Sequence, residues 1–120
     1  MVSHTSLLRE SGIRAGIDID TKLVTGQSAD PDGGVENAAL LRRFTVAVIQ
    51  KPEDLEAARI ALVRALGPGR AAQAAAIIAD FDAINRVADA TGIDLDAFTA
   101  DRNGDLIDDL GFAAILDARR

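Results

Sequence analysis

Several groups of residues have types and spacings that could do chemistry. Asp101, Asn103 and Asp105 stand at alternate positions, like the first three ligands of an EF-hand calcium loop. Such a loop then needs a glycine for its sharp turn and a bidentate carboxylate at its twelfth position. Leu106 and Phe112 stand there instead, so we read a turn capping the last helix, with Asp105 near its N-terminus. Gly67-Pro68-Gly69-Arg70 opens a helix, and helix N-termini attract anions. No strand precedes it and no Lys-Ser/Thr pair follows, so it is not a P-loop, and Arg70 is expected in solvent. Carboxylates recur in pairs: Asp18/Asp20, Asp80/Asp82, Asp94/Asp96 and Asp108/Asp109. Acid–base catalysis needs two carboxylates in different environments, and solvated helix ends account for these. Asn85 lies within an apolar stripe, where a buried amide must be hydrogen-bonded. Two roles stay open for it: clamping a neighbouring backbone, or lining a cavity. His4 is the lone histidine, so a multi-histidine metal site is excluded. With no cysteine there are no disulfides, thiolate metal sites or thiol nucleophiles. No cofactor and no metal ion are expected.

The elements that would position these residues read as helices. Residues 3–11 form a short one, stopped by Gly12, and 18–25 a second before Gly26. The stretch 27–34, with Pro31, Gly33 and Gly34 among polar residues, is the strongest loop. In 35–50, Leu40, Leu41, Phe44, Ala47 and Val48 recur at helical spacing. The β-branched tail TVAVI could pass for a strand locally, but its continuity with the stripe argues for helix. Pro52 stands at a first helical position, with Glu53 and Asp54 facing the positive helix end. Leu55, Ala58, Leu62 and Leu66 make the buried stripe of helix 52–66, and Gly67, Pro68 and Gly69 break the chain.

Helix 70–91 is the longest. One stripe holds Ala74, Ile77, Ile78, Phe81, Ile84, Asn85 and Ala88; the opposite face holds Ala72, Ala76, Ala79, Ala83 and Ala90. A surface helix would show charge there, so this one is expected to pack on both sides, as a central helix or an oligomer seam. Asp82 and Arg86 stand at i,i+4 in the order that suits the helix dipole. Gly92 ends the helix; a turn at 94–100 and a last helix at 105–117 follow.

The chain has 120 residues, which is one domain's worth and too short for two independent cores. Hydrophobic residues make up 48% and charged residues 27%, which is ordinary globular usage. The net charge of −6 argues against nucleic acid, whose phosphates need a basic face. No stretch approaches the ~20 apolar residues of a membrane span, and no signal peptide is legible. The expectation is a cytoplasmic protein without nucleic-acid or membrane partners.

Phe81-Asp82-Ala83-Ile84-Asn85-Arg86-Val87-Ala88-Asp89-Ala90-Thr91-Gly92 resembles the F-x-x-x-N-R-x-A-D-A-x-G segment of alkylhydroperoxidase D-like proteins, in the carboxymuconolactone decarboxylase superfamily. The order of helices from Leu40 through Leu66 into Ala74 is similar to that family's, as is the acidic tail with Leu110-Gly111-Phe112. The resemblance implies an all-α, alkylhydroperoxidase D-like helical bundle truncated at its N-terminus. It would be a single domain over 1–120, with 3–12 a remnant of the redox-motif helix and 35–112 the core helices. Redox-active members carry C-x-x-C-x-x-x-H, followed by a stretch much like Thr5–Gly12. If His4 is the family's proton-relay histidine, the second cysteine falls immediately before Met1. In the family one cysteine attacks the peroxide, the other resolves it, and Glu and His relay protons. Only His4 carries over, and it is non-functional without the thiolates. Asn85 and Arg86 lie in the matched segment as structural or cavity-lining polar residues.

Three readings follow. The first is a family protein without redox cysteines, inactive as a peroxidase and surviving as a homo-oligomer assembled through helix 70–91. The second is a fragment or mis-started form of a thiol-dependent alkyl hydroperoxidase, an antioxidant oxidoreductase whose reductant the sequence does not identify. The third is an unrelated helical protein-interaction module. A helix that begins at residue 3 without a lead-in loop favours truncation. Apolar surface that missing helices would cover is then expected to be exposed or buried by self-association.

Overall fold

The computed structural model describes residues 2–93 and 96–117. All regular structure among them is helical. The helices are α1 (Val2–Ala15), α2 (Ala38–Ile49), α3 (Leu55–Leu66), α4 (Pro68–Thr91), α5 (Ala97–Arg102), α6 (Gly104–Asp109) and α7 (Phe112–Asp117). Short 3₁₀ turns occupy Thr21–Thr25 and Pro52–Asp54. Among the described residues no helix is long and apolar enough to cross a membrane.

Several boundaries differ from the sequence reading, each for a local reason. Gly12 does not stop α1. It is buried, and a β-carbon there would meet the Ile19 side chain at 2.7 Å, so this glycine serves close packing. Gly16, in the left-handed region at φ 67, ends the helix four residues later. α2 starts at Ala38 rather than 35 because Asn37 sits at φ 62, a conformation asparagine tolerates but a helix cannot contain. Pro68 does not break the chain; it opens α4, where its missing N–H has no helical bond to lose. The expected last helix is two, α6 and α7, parted by Gly111 at φ 68. The turn expected at 94–100 resolves into α5 from Ala97 on, capped by Asp96; Asp94 lies outside the described residues.

The chain divides into two compact units, Glu36–Thr91 and Met1–Val35 with Gly92–Arg120. The length argued for one core, but the buried apolar residues fall into two clusters. In the first unit Phe44 and Ala47 of α2, Ala58 and Leu62 of α3 and Ala71 of α4 are buried together, with Leu40, Leu66, Ala74 and Ile78 against them. Alanines at Ala47, Ala58 and Ala71 let the three helices approach closely, and Phe44 and Leu62 fill the space between. In the second unit Val2 of α1 packs with Leu106 and Leu110 of the α6 segment and Phe112 of α7.

Candidate functional site

α4 is the element whose surface departs most from expectation. Its buried face runs through Ala71, with Ala74 and Ile78 partly buried against the α2–α3 core. Of the stripe expected to be buried, Ala74, Ile78 and Ala88 are partly buried, but Ile77 is 59%, Phe81 38% and Ile84 48% accessible, and neighbouring Val87 is 63% accessible. The alanine face, Ala72, Ala76, Ala79, Ala83 and Ala90, is exposed as well. The reason is length. At ~1.5 Å per residue a 24-residue helix runs about twice as far as the 12-residue α3 beside it. The second half of α4 accordingly has no buried residue. α4 is thus not the central helix of its own unit.

Asn85 must be corrected on the same ground. It was expected in a buried stripe, as a clamp or a cavity wall, but it is exposed. It falls seven residues beyond Ile78, past the packed part of the helix. Arg86 is also exposed, and its Nε donates to Asp82 Oδ2 at 2.8 Å, the i,i+4 pair read from the sequence. That hydrogen bond, with the Asp82 charge, raises the guanidinium's pKa above its ordinary value. His4 lies on α1, exposed. Arg70 lies in solvent at the start of α4, as expected.

The carboxylates work as caps and ion pairs. Asp20 accepts from the Lys22 N–H at 3.0 Å, and hydrogen bonding from Ser28, then Lys22, holds its pKa below the usual range. Asp96 caps α5, accepting from the Thr99 N–H at 2.9 Å and its hydroxyl at 2.7 Å, which lowers its pKa likewise. The three residues of the calcium-like spacing part company. Asp101 is on α5 and exposed, Asn103 is buried between α5 and α6, and Asp105 accepts from Arg9 Nη1 of α1 at 2.6 Å. Among the described residues no three metal-ligating side chains gather closely enough to hold an ion.

The Arg9 hydrogen bond is the largest cause that lowers the Asp105 pKa. A lowered folded-state pKa stabilises the fold above the ordinary aspartate value of ~3.9, and this contribution fades as pH falls through the lowered value. Asp105→Asn should therefore lower the urea midpoint at about pH 7 more than at about pH 3. Equal shifts at both pH values would show that the ion pair contributes nothing.

Sequence reasoning missed one feature. Within the second unit, α1 and the end of α5 enclose an open cleft of about 410 Å³. Leu7, Glu10 and Arg14 line it from α1, and Phe98, Arg102 and Asn103 from the α5 side. The i, i+3, i+7 spacing of the α1 residues was legible; what stood opposite them was not.

No family model, curated protein or solved structure matches the chain. What the fold defines, among the described residues, is an all-helical protein.

Proposed function

We propose that this chain is a non-redox helical protein that self-associates through α4, standing with the cysteine-less relatives of the alkylhydroperoxidase D-like family. One observation carries the assembly reading: Ile77, Phe81 and Ile84, spaced i, i+4, i+7, form an exposed apolar ridge on α4, and the alanine strip on the opposite face of the same helix is exposed as well. Several large apolar residues exposed on one helix mark an interaction surface. A second copy fits it because ridge and strip are complementary shapes on the same helix. Large side chains of one copy can seat against the small residues of another, with backbones close. The family part rests on the Phe81–Gly92 segment and on the helix order of α2, α3 and α4. In that reading His4 keeps the relay position with no thiol to serve, and assembly outlasts the redox chemistry.

The test is the solution mass of the full chain against that of the double variant Ile77→Glu/Ile84→Glu. The native chain should sediment at two or more times its 12.6 kDa. Two unpaired carboxylates at the seam should weaken association by about 100-fold or more. Both positions are exposed in the single chain, so the far-UV helical signal should not change. A native chain that stays monomeric at every concentration, or a variant that assembles equally well, would refute the proposal.

A further inference from the structure

The cleft between α1 and α5 carries an inference independent of α4. We propose that it binds a small organic carboxylate with an apolar body. Its volume, about 410 Å³, lies in the range of small-molecule sites, roughly 300–1,000 Å³. The charge on its walls is unusual for this chain. Among the described residues Arg14 and Arg102 both line it, with Glu10 as the single facing carboxylate, so these walls carry one surplus positive charge in a protein of net charge −6. Glu10 does not consume Arg102: the guanidinium nitrogen stands 3.9 Å from Oε1, beyond hydrogen-bonding range. Arg9, on the same helix, makes the contrast, since it holds Asp105 at 2.6 Å. A guanidinium with spare donors matches a carboxylate in shape and charge. One surplus charge suits a monoanion, and Glu10 would repel a phosphate dianion.

One further feature defines the rest of the ligand. Leu7 and Phe98 line the cleft and are 62% and 73% exposed, so they offer an apolar wall that gains by being covered. Asn103, also a lining residue, is only 2% exposed and its Nδ2 donates to the Thr99 carbonyl at 2.8 Å, so it braces the wall and is not a ligand contact.

Indole-3-acetate is a suitable probe: it has a carboxylate and an apolar ring. The chain has no Trp and no Tyr, so the probe's indole emission is read without protein background. Titrating the full chain should give a dissociation constant of about 0.5 mM, ordinary for a ligand of this size. Amide chemical-shift changes should map to residues 3–14 and 98–103. Arg14→Gln and Arg102→Gln, both exposed positions, should each weaken binding about 10-fold. The neutral indole-3-acetamide should bind at least about 10-fold less well. The proposal is overturned by no binding at high millimolar probe, by equal binding of acid and amide, or by shifts on residues 77–87 instead.

Discussion

Leu62→Ala should cost the fold about 2–5 kcal/mol, toward the upper end of that range. Leu62 is 0% exposed, at the centre of the α2–α3–α4 cluster. Its buried neighbours are Phe44 and three alanines, Ala47, Ala58 and Ala71. Alanines have no rotamers with which to refill a lost isobutyl group, so the space stays open as a cavity. The cost of a large-to-small change rises with the cavity that remains. A loss of this size is a large share of the ~5–15 kcal/mol that a typical domain has in all. Urea unfolding followed by far-UV signal would read it, with hydrogen exchange showing lost protection in α2, α3 and α4. Leu62→Met, which keeps most of the volume, should cost less than about 1.5 kcal/mol. Ile60→Ala, in the same helix but 40% exposed, should cost much less than Leu62→Ala. If Leu62→Ala and Ile60→Ala cost the same, the α2–α3–α4 packing described above is wrong.

The core of that unit was legible because the apolar residues of α2 and α3 repeat at helical spacing. Phe44 and Ala47, Ala58 and Leu62 were all placed in stripes that the structure buries. The β-branched run ending α2 was settled the same way, since a stripe continuing through Leu40, Leu41 and Phe44 outweighs local strand preference. What sequence could not give was where cover ends. Ile78 and Ile84 are equally apolar, yet one packs against α3 and the other is 48% exposed. The difference is the length of the neighbouring helix, a tertiary fact. Asn85 was misplaced by the same error: a polar residue in an apolar stripe looks buried only if the whole stripe is.

Glycine shows a second limit. Gly12 reads as a helix stop, but it is a contact surface for Ile19, and the left-handed cap is Gly16. Asn103 shows a third. Its spacing with Asp101 and Asp105 resembles a calcium loop that Leu106 and Phe112 rule out, and Asp105 does lie in the first turn of α6, but the burial of Asn103 is not legible from spacing. The helix break between α5 and α6 instead buries the asparagine, exposes Asp101 and gives Asp105 to Arg9. The cleft that Asn103 lines is assembled from segments some ninety residues apart in sequence, so periodicity could not reveal it.

Phe112→Ala should cost about 3–5 kcal/mol. Phe112 is 1% exposed and the largest side chain in the cluster with Val2, Leu106 and Leu110. Three helices meet on it: α1 through Val2, the α6 segment through Leu106 and Leu110, and α7, of which it is the first residue. α6 and α7 are six residues each, far too short to persist alone. Their helicity depends on this contact, so the ring's loss should melt them rather than leave a clean hole. Hydrogen exchange should show α6 and α7 unprotected, and α1 more open along the face that carries Val2 and Thr5, both buried. Phe112→Leu keeps an apolar group at the site and should retain most of the protection. The cleft lies between α1 and α5, and a single residue, Asn103, separates α5 from α6. Loosening α6 should therefore weaken indole-3-acetate binding in Phe112→Ala, although this ring is not among the cleft's lining residues. Arg14→Gln should lower the same affinity with the unfolding midpoint unchanged. Measured together, the two variants separate a group that touches the ligand from one that holds the walls in place.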